Sequence, residues 1–516
     1  MTIGDTLLHN ARVRGEAEAL VVGTRRLTWR QWNAASNRLS QAALNLGVKR
    51  GDRVVFLLDN SVEFVVAYYA FAKIGCVIAP VMPRSAAPEI AQVIHDLRAK
   101  VVLVQTAARD ALQAALANSA APDVVIGVGP NHGQARDFDA LLSQSSDAEP
   151  AVAAEPDDQL MIKFTSGTTG RPKGCVRSHA NFLAAAMNNL IEIPLDPADR
   201  ALVAAPLAVG MAISQMTMLV MRGVAMVMLP RFDPDQFLAA LAAERPSLVY
   251  LMDGMSRRLF AHPGFDAADF SSIRLYHPVN ARDVMQRLRS HPTFRAGFTS
   301  GYASSEGGGL ISIKTPDMFE RGLSDPDAKH LVATVGRETL LCRIECLDDA
   351  LQPVPAGTVG ELAISGPSVF QGYWENASET DKVLRNGWLL TGDLAYKDAD
   401  GLLYLQGRKR DVIKSGGMSV YPAEVEPVIL AVENVAAAIV IGVPDLEWGE
   451  KVVAFVVANG PCDDAEIIGR CRAQLAPFKC PKAVVFIDRL PSTDVGKVSK
   501  AKLVELYAAT AKPNAQ

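Results

Sequence analysis

Ten consecutive residues, Thr165-Ser166-Gly167-Thr168-Thr169-Gly170-Arg171-Pro172-Lys173-Gly174, gather hydroxyls, glycine amides and a cation in one short segment. Hydroxyls and amides free of bulky side chains can wrap a polyphosphate, and Lys173 adds a positive charge. The segment is not a Walker loop, because no Gly directly precedes Lys173 and no Ser or Thr follows it. The structural alternative is a Ser/Thr/Gly hairpin that binds nothing; the Arg-Pro-Lys-Gly register favours the phosphate reading. The seven cysteines (Cys76, Cys175, Cys342, Cys346, Cys462, Cys471, Cys480) are odd in number and never spaced C-x-x-C, which fits free thiols better than disulfides or structural zinc.

Such a loop needs a scaffold, and the chain offers one. The loop follows the apolar stretch Leu160-Met161-Ile162-Lys163-Phe164. Upstream, Val54 to Leu58 precedes an amphipathic stretch from Val62 to Ile74, and Val77 to Val81 follows. Lys100 to Val104 and Ser247 to Leu251 have the same β-rich texture. Short apolar runs separated by helical patterns predict α/β layers with largely parallel sheets. Met211 to Leu229 is the most apolar window, yet it holds Gln215 and Arg222 and ends at Pro230. A membrane span needs about 20 mostly apolar residues, so this window reads as a buried helix followed by a buried strand. From Arg337 onward, Gly, Asp and Pro punctuate short strands such as Gly360 to Ser365, which predicts a small β-rich subdomain. Ser145 to Asp158 is a polar, Ala/Pro-rich loop.

The decapeptide resembles the phosphate loop of the adenylate-forming superfamily, which includes acyl-CoA synthetases, aryl-CoA ligases, firefly luciferase and peptide-synthetase adenylation domains. Four further segments are similar to motifs of that family and fall in its order: Gly301-Tyr302-Ala303-Ser304-Ser305-Glu306, Trp388-Leu389-Leu390-Thr391-Gly392-Asp393-Leu394, Gly407-Arg408-Lys409-Arg410-Asp411, and Pro491-Ser492-Thr493-Asp494-Val495-Gly496-Lys497. A lone Thr-Gly-Asp is a turn and a lone Gly-Lys a solvated loop, but the ordered set spans residues 160 to 500. The resemblance implies that Thr165 to Gly170 and Lys173 hold phosphates, that Tyr302 packs on adenine and Ser305 touches phosphate, and that Glu306 coordinates Mg²⁺. A carboxylate beside a triphosphate is credible only with a metal between them. It further implies that Asp393 accepts the ribose hydroxyls, Arg408 contacts the ribose, Arg410 occupies the hinge and Lys497 is catalytic. The implied fold is α/β: a large N-terminal domain, 1–408, of layered α/β subdomains plus the β-rich one, then a small mobile α+β cap, 409–516.

The implied reaction has two half-steps with ATP, Mg²⁺ and coenzyme A. A carboxylate attacks the α-phosphorus of ATP to give acyl-AMP and pyrophosphate, and a thiol then displaces AMP. No general base is needed in the first step, because the carboxylate is ionised at neutral pH. Lys173, Glu306 and Lys497 are the candidate catalytic groups, neutralising charge as it develops. In the family the cap rotates between steps and presents a glycine pair to pantetheine; here that pair is Gly416-Gly417. Trp448, Phe478 and Lys482 resemble aryl-CoA ligase contacts to coenzyme A, with Arg84 joining from the large domain. Cys480 stands where some relatives carry a basic residue.

Several positions depart from the family pattern. Val209, in Ala205-Pro206-Leu207-Ala208-Val209-Gly210, stands where the family usually has a histidine at the acyl-pocket entrance. Tyr276-His277-Pro278-Val279-Asn280 replaces the usual Ser-Gly-Gly-Ala-Pro stretch, and Ala303 replaces a glycine. His277 and Asn280 could hydrogen-bond a polar group on the acid or be satisfied structurally. Six of the fifteen methionines fall between Met211 and Met228, as core filling or as an adaptable acyl pocket. Together these favour a hydrophobic monocarboxylic acid, either fatty or ring-bearing (aryl or alicyclic).

Composition limits the alternatives. The 516 residues correspond to roughly two to four folding units, and 49% hydrophobic with 21% charged residues is the mix of a globular protein. A net charge of −4 gives no reason to expect nucleic acid or an anionic membrane surface as partner. Met1-Thr2-Ile3-Gly4-Asp5 lacks the basic start of a signal peptide, so a cytoplasmic enzyme without membrane insertion is expected, acting on a small-molecule acid; a homodimer is compatible with this. The lead function is an acyl-CoA ligase. The alternatives are an enzyme that loads a separate carrier-protein thiol and a non-catalytic nucleotide-binding relative; retention of Lys173, Glu306, Asp393, Arg408 and Lys497 argues against the latter.

Overall fold

The structure is a computed structural model that describes every residue except 118–120, 131–132, 134, 166–171, 279–280, 492–497 and 511–516. The chain divides into two compact units, 1–344 with 364–389, and 345–363 with 390–516.

In the first unit, apolar β-branched runs pair as parallel strands. Arg53–Leu57 lies between Val77–Pro80 and Val101–Gln105, with Val54 opposite both Ile78 and Val101. Strands this uniformly apolar are stable only when both faces are covered. The sheet extends on one side through Val124–Val128 and Arg136–Asp137, and on the other through Gln159–Thr165, Lys173–Ser178 and Gly372–Tyr373, eight strands in all. A second, seven-stranded sheet runs in the order Gly297–Phe298, Leu275–His277, Leu248–Tyr250, Arg200–Val203, Ala225–Met228, Glu18–Val22, Arg25–Thr28. Its pairings are parallel except for the last. One apolar cluster includes side chains from strands of both sheets and from the helices Trp29–Asn45, Val62–Lys73 and Gly210–Arg222.

The window Met211 to Leu229 forms the expected helix, Gly210–Arg222, and strand, Ala225–Met228. The amphipathic reading of Val62 to Ile74 does not hold. Helix Val62–Lys73 is buried on every side, with only Glu63 partly open. A helix apolar all round belongs inside a large core. Its one buried charge, Lys73, is matched by donating to Asn33 Oδ1 (2.8 Å), Asn37 Oδ1 (2.7 Å) and Glu149 Oε2 (2.7 Å). Glu149 belongs to the polar loop 145–158, which this network ties down.

In the second unit, strand Trp388–Lys397 and strand Leu403–Arg408 form a hairpin that brings Asp393 opposite Arg408. A further sheet is built from Met418–Val420, Ile413–Ser415, Gly449–Ala458 and Val435–Asp445, with Ala483–Phe486 added parallel to Gly449–Ala458. Helices Pro422–Leu430 and Asp464–Gln474 contribute to its core through Val425, Ile429, Ile467 and Cys471. All seven cysteines are free thiols. Among the described residues, no helix is long and apolar enough to cross a membrane.

Candidate active site

Three strands of the first unit carry the polar side chains that flank the 165–174 segment. Gln159–Thr165 pairs antiparallel with Lys173–Ser178, setting Lys163 opposite Cys175 and Thr165 opposite Lys173. Gly372–Tyr373 pairs with the second strand and sets Tyr373 opposite Cys175. Side chains alternate along a strand. Met161, Lys163 and Thr165 therefore share one face with Arg177, Cys175 and Lys173, while Ile162, Phe164 and Val176 pack into the apolar cluster behind. Lys163, Cys175 and Tyr373 form a row across the three strands.

The row ends at the carboxylate singled out by sequence: Tyr373 Oη donates to Glu306 Oε1 at 3.0 Å. Burial and the nearby Glu306 charge hold the Tyr373 phenol well above its ordinary pKa. Lys173 is ion-paired with Glu379, its Nζ 5.2 Å from the centroid of the Tyr373 ring. A cavity of about 470 Å³ opens here, lined by Phe164, Pro172, Lys173, Tyr373, Trp374 and Glu379 among others. Cys175 is buried, with Thr165 Oγ1 3.9 Å from its sulfur. Burial first, and the Glu306 charge second, push its thiol pKa up.

Glu306 sits at the end of a tightly held turn. Strand Ala303–Ser304 pairs with Gly309–Leu310, Tyr302 N donates to Ser312 Oγ (3.0 Å), and Phe370 N donates to Glu306 O (2.8 Å). A Cβ at Gly301 would lie 1.9 Å from the Ser312 carbonyl oxygen, so only glycine fits before Tyr302. Tyr302 is buried, Ala303 and Ser305 are exposed, and Glu306 is half-buried.

The acyl-side candidates occupy the same unit. Val209 is the N-cap residue of helix Gly210–Arg222 and offers no side-chain cap. The Lys163 ammonium donates to the carbonyl of Ala208, and burial pushes its pKa down to about 8. His277 is buried, with Nδ1 2.9 Å from Thr299 Oγ1, and burial lowers its pKa to about 4. Arg84 is exposed just beyond strand Val77–Pro80.

In the second unit, Arg408 Nε lies 2.6 Å from Asp393 Oδ1, and Arg408 Nη1 donates to Thr391 O at 3.3 Å. Thr391 Oγ1 accepts from Asp393 N at 3.1 Å, fixing the turn. Arg410 is exposed, its Nε 3.6 Å from Asp411 Oδ1. Gly416 and Gly417 have φ of +58° and +78°, a region that favours glycine. Gly416 N donates to Trp448 O at 2.7 Å, and a Cβ there would come within 3.3 Å of the indole. Lys482 Nζ lies 4.7 Å over the Trp448 ring, a cation–π distance. Phe478 is half-buried, and a cavity of about 480 Å³ beside it is lined by Ile468, Arg472, Pro477, Cys480, Pro481 and Lys482.

The structure thus gathers Thr165, Lys173, Glu306 and Tyr302 in one unit, and in the other pairs Asp393 with Arg408 and clusters Gly416, Trp448 and Lys482. Ser166, Gly167, Thr168, Thr169 and Gly170 of the loop, Asn280 and Lys497 lie outside the described residues. Sequence reasoning missed Tyr373, Glu379, Cys175 and Lys163. The period-two alternation on either side of the loop could have found two of them, since a hairpin closing at 165 and 173 sets Lys163 opposite Cys175.

Residues 7–374 match the model of the AMP-binding enzyme family, and residues 424–497 that of the AMP-binding enzyme C-terminal domain. The chain is 33% identical over 515 residues to the long-chain-fatty-acid–CoA ligase FadD13 of Mycobacterium tuberculosis, covering 98% of this chain and 99% of that one. It is also 33% identical over 509 residues to a feruloyl-CoA synthase of an Amycolatopsis species, covering 97% and 98%. The crystal structure of ATP-bound MatB from Rhodopseudomonas palustris superposes with a TM-score of 0.86 at 27% identity, covering 99% of this chain and 100% of that one. Fold, ordered motifs and full-length similarity agree: the chain belongs to the adenylate-forming family of AMP-binding enzymes and is of the acyl-CoA synthetase type.

Proposed function

We propose that this acyl-CoA ligase activates a hydrophobic monocarboxylic acid, fatty or ring-bearing, through an acyl adenylate. The observation that carries the reading is the joining of Glu306, Tyr373 and Lys173 at the foot of the 165–174 loop. In the first step a carboxylate oxygen of the acid bonds to the α-phosphorus of ATP, and the bond from that phosphorus to the bridging oxygen breaks, releasing pyrophosphate. Two anions must meet, so fixed cations and amides at the phosphates lower the barrier. Lys173 holds the β- and γ-phosphates after leaving Glu379; Asp393 accepts the ribose hydroxyls beside Arg408; Lys497 bridges carboxylate and phosphate oxygens. Glu306 would hold Mg²⁺. Among the described residues no group of three His, Cys, Asp or Glu is arranged for a metal, which suits an ion that takes most of its ligands from phosphate and water. Tyr373 keeps the Glu306 carboxylate aimed by donating to it.

In the second step the coenzyme A sulfur bonds to the acyl carbon and AMP leaves. Gly416 and Gly417 admit the pantetheine arm, while Trp448 and Lys482 form an aromatic and cationic platform for the nucleotide end. Phe478 belongs to the same proposed contacts, Arg84 of the first unit is a further proposed contact to coenzyme A, and Arg410 is the proposed hinge between a 1–408 body and a 409–516 cap. The hydrophobic acid is supported by the methionine-rich helix Gly210–Arg222 behind Val209, and by relatives named for long-chain fatty acids and for ferulate. The test is pyrophosphate release over a panel of carboxylic acids, with and without coenzyme A. Hydrophobic acids should give AMP in a coenzyme A-dependent manner. Turnover confined to small polar acids, or none with any acid, refutes the reading.

A further inference from the structure

Among the described residues Lys163 meets no carboxylate, and the two half-steps give it no role. It stands on a strand of the eight-stranded sheet, on the face shared by Thr165 and Cys175. Its ammonium donates to the Ala208 carbonyl, and among the described residues no carboxylate pairs with it. A half-buried ammonium whose described partner is a neutral carbonyl is costly, and an anion brought to it recovers that cost. Ala208 lies two residues before helix Gly210–Arg222, whose cap residue Val209 has no group to close the first-turn amides. The helix start packs directly on the lysine stem: a Cβ at Gly210 would lie 3.8 Å from Lys163 Cγ and 3.9 Å from Met161 Cε. A cation and the positive end of a helix dipole therefore converge on one spot.

That spot has a defined position in the row of strands. Tyr373, which orients Glu306, is two strands away through Cys175, roughly 10 Å at the usual strand spacing. The phosphate loop begins two residues on, at Thr165. Lys163 is thus beside the start of the methionine-rich helix and two residues before Thr165, where the phosphate loop begins.

We infer that Lys163 receives the reacting carboxylate of the incoming acid, and so is a substrate-binding residue of the adenylation step. The inference rests on the adenylation reading above. The acid loses its charge on becoming acyl-AMP, so the ammonium favours the acid over the product. The interaction is made in the ground state and carried toward the transition state, and its loss raises the acid KM more than it lowers kcat.

The test is pyrophosphate release with acid and ATP titrated separately for the wild type, Lys163→Met, Lys163→Gln and Lys163→Arg. Lys163→Met should raise the acid KM about 10- to 100-fold, the range for loss of a charge-assisted hydrogen bond, with the ATP KM within about twofold and Lys163→Arg recovering most of the loss. Lys163→Gln guards against a folding defect, because it keeps a donor for the Ala208 carbonyl without the charge; it should melt like the wild type and still show the raised acid KM. The inference is overturned if Lys163→Gln binds acid as the wild type does, if acid and ATP KM rise together, or if only dicarboxylic acids lose affinity, which would make Lys163 a reader of a second carboxylate. A wild type that releases no pyrophosphate with any acid overturns the adenylation reading and this one together; an active wild type with an unchanged acid KM in Lys163→Met overturns this one alone.

Discussion

Replacing Asp393 by alanine gives the sharpest measure of the nucleotide site. Asp393 is 8% exposed and holds Arg408 Nε at 2.6 Å from Oδ1, so its carboxylate is aimed and only partly hydrated before any ligand arrives. A carboxylate accepting from a ribose hydroxyl is worth about 1.5–3 kcal/mol, and Asp393→Ala should therefore weaken ATP binding about 10- to 150-fold. Stability should change little, because the Arg408 side chain is 49% exposed and rehydrates when its partner is removed. Asp393→Asn keeps an acceptor but not the charge, and should fall between. Titration calorimetry with ATP, 2′-deoxy-ATP and 3′-deoxy-ATP closes a double-mutant cycle. In the wild type each deoxy analogue should bind more weakly than ATP; in Asp393→Ala the three should bind alike. If ATP binds Asp393→Ala within about twofold of the wild type, or if discrimination among the three survives, Asp393 does not hold the ribose.

Three further outcomes follow from the same structure. Lys497→Ala should slow acyl-AMP formation on the order of 10²–10³-fold yet convert synthetic acyl-AMP and coenzyme A at near wild-type rate, while Gly416→Ala, whose Cβ would press on Trp448, should do the reverse; equal slowing of both half-reactions by Lys497→Ala removes it from the chemistry. Val209→Phe, adding bulk at the start of helix Gly210–Arg222, should shift kcat/KM toward smaller acids, and a flat size profile would show that Val209 does not line the pocket. Finally, burial lowers both His179 and His277 to about 4 in the folded protein, against about 6.5 unfolded. Their neutral forms are favoured by folding, so this stability is full above pH 6.5 and drains as the pH falls toward 4, by roughly 3 kcal/mol for each. Thermal melts should drop between pH 6.5 and 5, before most carboxylates titrate, and His277→Gln should flatten the drop; a level profile there would contradict it.

What could be read from sequence was what neighbouring residues decide. The run from Met211 to Leu229 declares a buried helix and strand because Gly223 breaks it and both halves are apolar. The phosphate loop declares itself because its chemistry is packed into ten residues. The Val62–Lys73 helix was misread because Glu63 and Lys73 suggest a wet face, and nothing local reveals that partners more than 70 residues away, such as Glu149, receive the lysine. The Tyr373 end of the row that starts at Lys163 and Cys175 was illegible for the same reason. It depends on an edge strand contributed some 200 residues later, and strand register between distant segments is set by packing rather than by local pattern. The departure at Val209 was visible, but the cation at the neighbouring carbonyl was not, because Lys163 arrives from strand Gln159–Thr165, 45 residues before Ala208.

Cys175 has a consequence for the product. An enzyme that makes acyl adenylates generates a powerful acylating agent, and this one keeps a second sulfur in the row that leads to Glu306. Sulfur nucleophilicity belongs to the thiolate. Burial, reinforced by the Glu306 charge, holds Cys175 in its protonated form at neutral pH. The fold therefore keeps the resident sulfur in its less nucleophilic form, which disfavours its acylation in competition with an incoming thiol.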